Sequence, residues 1–273
     1  MSSDEIAVLV IASLISVVCV IGHLFTARHP VMSRRASAEG TVRLGLLAAM
    51  AWITYVLYTH ADPSVVGIYR LFYLVLGFAV LHAFGFGGAG RTGMRHSVDT
   101  LERNNPAAGL LIASFILATG LIFGGSLWGE ADPDGEGEGG WWIPMGFFLA
   151  GWISLCIATW LYRLRETGGT VRRIRQVRNP REALGFSLYL LSTGWILMES
   201  VAGDFHGWRS GLLTTGAIAA MLVVHEIAGL VFNRNANARP KAMSVVEAVL
   251  YIATTIGFSY VNQHLLPAWG WTI

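Results

Sequence analysis

Lysine is almost absent from this chain. Lys241 is the only one, and it falls between apolar runs, where no retinal Schiff base could be buried. Cysteine is nearly as scarce. Cys19 and Cys156 both lie inside apolar runs, which excludes a disulfide framework and any CxxC metal or redox motif. They read as small apolar packing residues. Charge is low everywhere: 13% of the 273 residues are Asp, Glu, Lys or Arg, against about 25% in a soluble domain. Most of the surface must therefore face something other than water. There is no Walker lysine, no HExxH and no GxSxG. Gly85 to Gly90 spells GxGxxG, but it follows an apolar run rather than a strand, which makes it a helix end or packing face. The first apolar run follows Asp4 and Glu5 rather than a basic segment, so it reads as a span and not as a cleaved leader.

What the chain does have is length of apolar sequence. A bilayer core takes about 20 apolar residues of helix. Eight runs meet or approach that: 6–27, 43–60, 64–86, 107–128, 141–163, 183–203, 211–233 and 244–263. The second is the shortest. Of the nineteen basic residues, all but Arg70 and Arg209 fall in four connections. Arg28, Arg34, Arg35 and Arg43 follow the first run, and Arg91, Arg95 and Arg103 follow the third. Seven arginines between Arg163 and Arg181 follow the fifth, and Arg234, Arg239 and Lys241 follow the seventh. The alternate connections carry acids such as Asp62, Glu130 to Glu138 and Asp204. By the positive-inside rule the basic connections are cytoplasmic and both termini lie outside. The fold class is all-α: a polytopic bundle of eight transmembrane helices forming a single domain, 1–273.

Trp128, Trp141, Trp142, Trp208, Trp269 and Trp271 fall at the edge opposite the arginines, where an amphipathic ring anchors in the headgroups. Residues 87–106 and 164–182 are the longest basic connections, and either has room for a short surface helix. Arg172, Arg173, Arg175 and Arg178 serve as topology signal or attract anionic lipid headgroups. The acids at 130–138 are separated by glycines without EF-hand spacing and read as solvated loop. Arginines spread over loops, with aromatics at the lipid edge, give nucleic-acid binding no support.

An internal repeat is visible. Asn105–Leu127 aligns without gaps with Asn179–Val201 at an offset of 74, and Asn, Pro, Thr, Gly and Ser are among the coincidences. Each copy begins with Asn-Pro and is followed by a second span, so helices 4–5 and 6–7 read as parallel repeats about an axis along the membrane normal. Asn suits the cap and Pro the first helical position.

At Asn105-Pro106-Ala107-Ala108-Gly109 and Asn179-Pro180-Arg181-Glu182-Ala183 the chain resembles the YjfL-like family of small bacterial inner-membrane proteins, a domain of unknown function. The second copy departs from the family with charges where it has alanines. The resemblance covers residues 65–205 and leaves a helix pair at 1–64 and another at 206–273. It implies a bacterial plasma membrane and no known catalytic residues.

Ionisable groups within spans are functional candidates, because a charge in the bilayer centre is expensive. These are Arg70, His82, Glu199, His225, Glu226 and Glu247. Depth places Arg70 and Glu199 near the tryptophan edge, where they would meet as an ion pair, either locking the packing or gating a vestibule. His82, His225, Glu226 and Glu247 lie toward the arginine side. Glu247 is close enough to its helix start to snorkel or favour the N-terminus. His225 and Glu226 point about 100° apart and cannot share one neighbour, so they read as an interhelical hydrogen bond or a proton or cation relay. His23, His82 and His225 share one depth, and His60, His206 and His264 the other, so b-type haem ligation can also be drawn. No metal site is indicated.

Three functions follow. The first is non-enzymatic passage of a small ion or proton, with Glu226, His225 and Glu199 as relay and Glu247 and His82 at the exit. The second is a membrane partner for other envelope proteins, or a homo-oligomer. The third is a haem electron carrier.

Overall fold

A computed structural model describes residues 2–28, 36–129, 140–165, 169–202, 208–231 and 241–265. The side chains of 23–28, 36, 208–210, 241–244 and 265 are outside that description, as are the acidic run at 130–138, His206, Trp269 and Trp271. Among the described residues there is no strand.

The spans are α1 (Ser3–Arg28), α2 (Ala36–Thr59), α3 (Ile68–Val80), α4 (Pro106–Ser126), α5 (Trp142–Arg165), α6 (Pro180–Val201), α7 (Trp208–Val231) and α8 (Lys241–Tyr260). Eight helices are long and apolar enough to cross a membrane, so the chain is a multi-pass membrane protein. Helix α3 continues through a wide π turn, Leu81–Phe86, to Thr92. The glycine-rich stretch is therefore helical, and it is a packing face. A side-chain carbon at Gly88 would lie 2.7 Å from the Phe115 ring.

Boundaries shift at α2. It begins seven residues before the predicted run, so Arg43 sits inside the helix rather than in a loop. Two things support the early start. Asn104 accepts from the backbone N–H of Ala38 at 3.1 Å and caps the helix from another part of the chain. Glu39 takes Arg43 at 3.1 Å and His96 at 2.8 Å. Lys241 likewise opens helix α8 instead of lying in a loop. Both long basic connections hold short helical segments, His96–Glu102 in one and Gly169–Arg172 with Arg173–Val177 in the other.

The spans form two layers. Helices α2, α4, α6 and α8, all running in the same direction, pack side by side. Behind them α3 lies against α1, α2 and α4, α5 against α4 and α6, and α7 against α6 and α8. Helices α4 and α6 are the most enclosed. Lipid tails are as apolar as leucine, so close packing must hold such a row together, and small residues permit it. A Cβ at Gly120 would lie 2.5 Å from that of Ala49, one at Gly194 would lie 2.7 Å from that of Ala118, and one at Gly125 would meet the Met198 carbonyl at 2.5 Å.

Helices α4 and α6 begin alike. Asn105 and Asn179 are extended N-caps whose side chains accept from the first turn, and a proline follows each. Asn105 N–H reaches back to the Asp99 carbonyl at 2.9 Å, and Asn179 N–H to the Arg173 carbonyl at 3.2 Å. The residues just before the caps, Asn104 (φ 46°) and Arg178 (φ 58°), both adopt the left-handed conformation, which few non-glycine residues take. All these pairs are 74 residues apart. At the far end of the bundle Trp128 stacks on His60 with centroids 3.8 Å apart, and Trp141 donates to Asp4 at 3.0 Å.

Candidate functional site

Glu247 and Tyr251 are four residues apart on α8 and so stand on one face of it. That face meets His225 of α7. The imidazole Nδ1 lies 2.9 Å from the Glu247 carboxylate and 3.0 Å from the Tyr251 hydroxyl. All three side chains are fully buried. Helices α5 and α6 wall the cluster with aromatic rings. Tyr162 lies 4.7 Å from the His225 ring, 4.3 Å from Phe186 and 4.6 Å from Tyr189, and Tyr189 lies edge-on to Tyr251. Tyr189 donates its hydroxyl proton to the Ala158 carbonyl at 3.2 Å.

Glu247 therefore does not snorkel. Six residues into α8 its side chain turns inward, because His225 provides an ion-pairing partner that the lipid side lacks. Burying a carboxylate is tolerable only when it is paired and hydrogen-bonded. The pair can hold one proton on either side of a 2.9 Å contact. With the proton on nitrogen it is an imidazolium–carboxylate pair; with the proton on oxygen both groups are neutral.

Glu226, the next residue on α7, points elsewhere, as the helical angle requires. It is part-exposed and lies 3.9 Å from Arg165 at the arginine-rich end of α5. His82 sits in the π turn of α3, with Nδ1 2.9 Å from the Phe78 carbonyl and its ring against Phe78 and Phe86. His82 and His225 thus belong to separate helix clusters, α3 and α7–α8. The side chain of His23 lies outside the described residues. His60 is held by Trp128, and His264 meets Tyr260 edge-on. Among the described residues no three of His, Cys, Asp and Glu gather as a metal site would require.

Arg70 and Glu199 do not meet. Arg70 is in the first turn of α3, over the Tyr58 ring at 4.6 Å, with Nε donating to the Val65 carbonyl at 3.1 Å. Glu199 is on α6 and faces α8. One carboxylate oxygen accepts from Trp195 Nε1 at 2.9 Å and from Ser259 at 2.6 Å. The other oxygen is buried without a hydrogen-bond partner. Depth alone put Arg70 and Glu199 in one layer; the row α2, α4, α6 keeps them apart.

A second polar cluster, at the arginine-rich end, has no counterpart in the sequence reading. Asp99 is fully buried and accepts from Arg175 Nε at 2.9 Å and from the Arg95 N–H at 2.8 Å. Glu182, equally buried, accepts from Arg173 Nε at 2.9 Å. Asn105 caps α4 with its oxygen and donates its amide to the Ile174 carbonyl at 2.8 Å. Arg178 donates to the Arg103 carbonyl at 2.8 Å, and Arg172 to Gln176 on its own segment at 2.9 Å. Arg173 and Arg175 thus clasp buried carboxylates; Arg173 ties its connection to the start of α6, and Arg175 joins it to the connection before α4. The i, i+4 spacing of Glu247 and Tyr251 was available to find the first cluster. Nothing local announces that Asp99 meets Arg175.

No family model matches the chain, nor does any curated protein or solved structure.

Proposed function

We propose that this membrane protein passes protons, with His225, Glu247 and Tyr251 as the groups that hold the proton in the arginine-side half of the bundle. The observation that carries the reading is the fully buried His225–Glu247 contact at 2.9 Å. An intramembrane pair of ionisable groups is a poor way to gain stability, since apolar residues of the same volume do as well or better. Its chemistry is a proton that can move between nitrogen and oxygen. Tyr251, sharing Nδ1, extends the path by one hydroxyl. Glu226 with Arg165, part-exposed one residue away, would exchange protons with the arginine side, and Glu199 lies toward the other.

In the same reading the arginine-rich end faces the cytoplasm of a bacterial cell, as the positive-inside rule requires, and both termini lie outside. The matched starts of α4 and α6 support a duplicated unit, helices 4–5 and 6–7. Only the second copy carries intramembrane acid: Gly125 occupies the position equivalent to Glu199.

The test is proton uptake by proteoliposomes carrying an internal pH dye under an imposed potassium diffusion potential. The expected result is uptake above that of empty vesicles, lost in Glu247→Gln and reduced in Tyr251→Phe. Uptake equal to empty vesicles, or full uptake by Glu247→Gln, overturns the reading.

A further inference from the structure

Glu199 has the geometry of a proton-binding site in its own right. Its carboxylate is 8% exposed, near the last turn of α6. Donors arrive from two helices, Trp195 of α6 and Ser259 of α8, and both bond the same oxygen. The indole N–H also lies 3.2 Å from the Ser259 hydroxyl, closing a triangle that fixes that oxygen. The second oxygen is buried and has no partner. Among the described residues no arginine reaches it either.

No positive side chain supplies the missing partner among the described residues. Helix α4 carries no charged residue at all. On α5 the only charges are Arg163 and Arg165 at the opposite end, and on α2 they are Glu39 and Arg43, also at the opposite end. On α7 the described acid is Glu226, beside Arg165. On α8 it is Glu247, twelve residues and about 18 Å along the helix. Arg70 is committed to Tyr58 and Val65. His60, in the aromatic shell, stacks on Trp128 and touches Tyr55, and Tyr55 in turn touches Trp52, which faces Trp195. Among the described residues the surroundings of the bare oxygen are thus aromatic and apolar, and they offer a carboxylate charge no compensation.

We infer that Glu199, held by Trp195 and Ser259, is a second proton-binding site, at the tryptophan end of the bundle, and that the ligand taken by its free oxygen is a proton. The inference rests on the proton-passing reading only for what the site is used for; the site stands or falls by its own reactivity. On α8 the stripe Glu247, Tyr251, Thr255, Ser259 joins it to the His225 cluster, with the Thr255 hydroxyl bonded back to the Tyr251 carbonyl.

Dicyclohexylcarbodiimide reports on this directly, because it adds to the protonated form of a carboxyl group in an apolar setting and leaves a mass tag. The purified full chain in proteoliposomes is treated at about pH 6 and about pH 9 and digested for mass spectrometry. The expected result is a tag on the peptide carrying Glu199, weaker at the higher pH, absent in Glu199→Gln and retained in Glu226→Gln. Ser259→Ala should raise the yield at a fixed pH, since the ionised form loses a donor. No tag on Glu199 at either pH, or a yield indifferent to both pH and Ser259→Ala, overturns the inference. Tagging without proton uptake leaves the site standing and removes the relay; uptake without tagging does the reverse.

Discussion

Helices α4 and α6 lie side by side at the centre of the row and start from the same Asn-Pro construction, yet they are put to different uses. Helix α4 has no charged residue, and nearly all of its side chains are buried. Its small residues set how closely α2 and α6 approach, and it serves as the spine of the bundle. Helix α6 keeps the cap, the proline and the mid-helix glycine, but adds Glu182 at its start and Glu199 near its end, both buried. Its outer neighbours α7 and α8 contribute His225 and Glu247. Where two helices that begin alike sit in the same layer, one is free to hold the architecture and the other to carry groups that destabilise it. Buried ionisable groups cost stability, and within the described spans the buried acids and His225 lie on α6, α7 and α8.

The starts of the two helices are tied to each other by the clasp of Asp99 with Arg175, and that tie should show the largest effect. Arg175→Gln leaves a fully buried carboxylate without its main cation, which costs about 3 kcal/mol or more. Arg172→Gln, on the same segment and bonded only to exposed Gln176, should change stability by less than about 0.5 kcal/mol. Denaturant unfolding in detergent separates the two. Equal losses would mean the arginines act together as surface charge, and the tie between the two helix starts would be lost.

The spine role of α4 is sharpened by glycine. Gly120→Ala places a methyl group 2.5 Å from Ala49, and overpacking of that kind costs about 1–3 kcal/mol. Gly257→Ala on α8 meets nothing within 4 Å and should be neutral or stabilising by up to about 1 kcal/mol through helix propensity. A melting temperature unchanged in Gly120→Ala would show that α2 and α4 are not in close contact, and α4 would lose its place as spine.

Much of the fold is legible in the sequence because lipid imposes one rule, that apolar length makes a span. Arginine alternation settles the even number of helices, and Asn-Pro marks two starts. Depth along the bilayer is therefore readable; rotation about the helix axis is not. Arg70 and Glu199 share a depth and face different helices. Glu247, placed near its helix end, turns inward because His225 is there, and His225 is twenty-two residues away in sequence. Helix α2 begins early because Asn104, from the connection before α4, caps it, which no window over residues 36–43 could reveal. Arg173 and Arg175 read as topology signal until their carboxylates are seen.

The finest comparison is between the two caps, where the sequences match and the surroundings do not. Asn179→Ala removes one side-chain acceptor at an exposed helix start, worth about 1 kcal/mol. Asn105→Ala removes the same acceptor and also the amide that satisfies the Ile174 carbonyl in a fully buried setting. An unsatisfied buried polar group adds about 1–3 kcal/mol, so Asn105→Ala should be the more destabilising of the two by about 1 kcal/mol or more. The contrast should survive replacement by Asp, which keeps the accepting oxygen and loses the amide donor: Asn179→Asp would be near neutral, while Asn105→Asp would keep the extra loss. If both alanine variants unfold at the same denaturant concentration, the bond from Asn105 to the second connection contributes nothing. Helices α4 and α6 would then be held together by their faces alone, with the caps serving each helix separately.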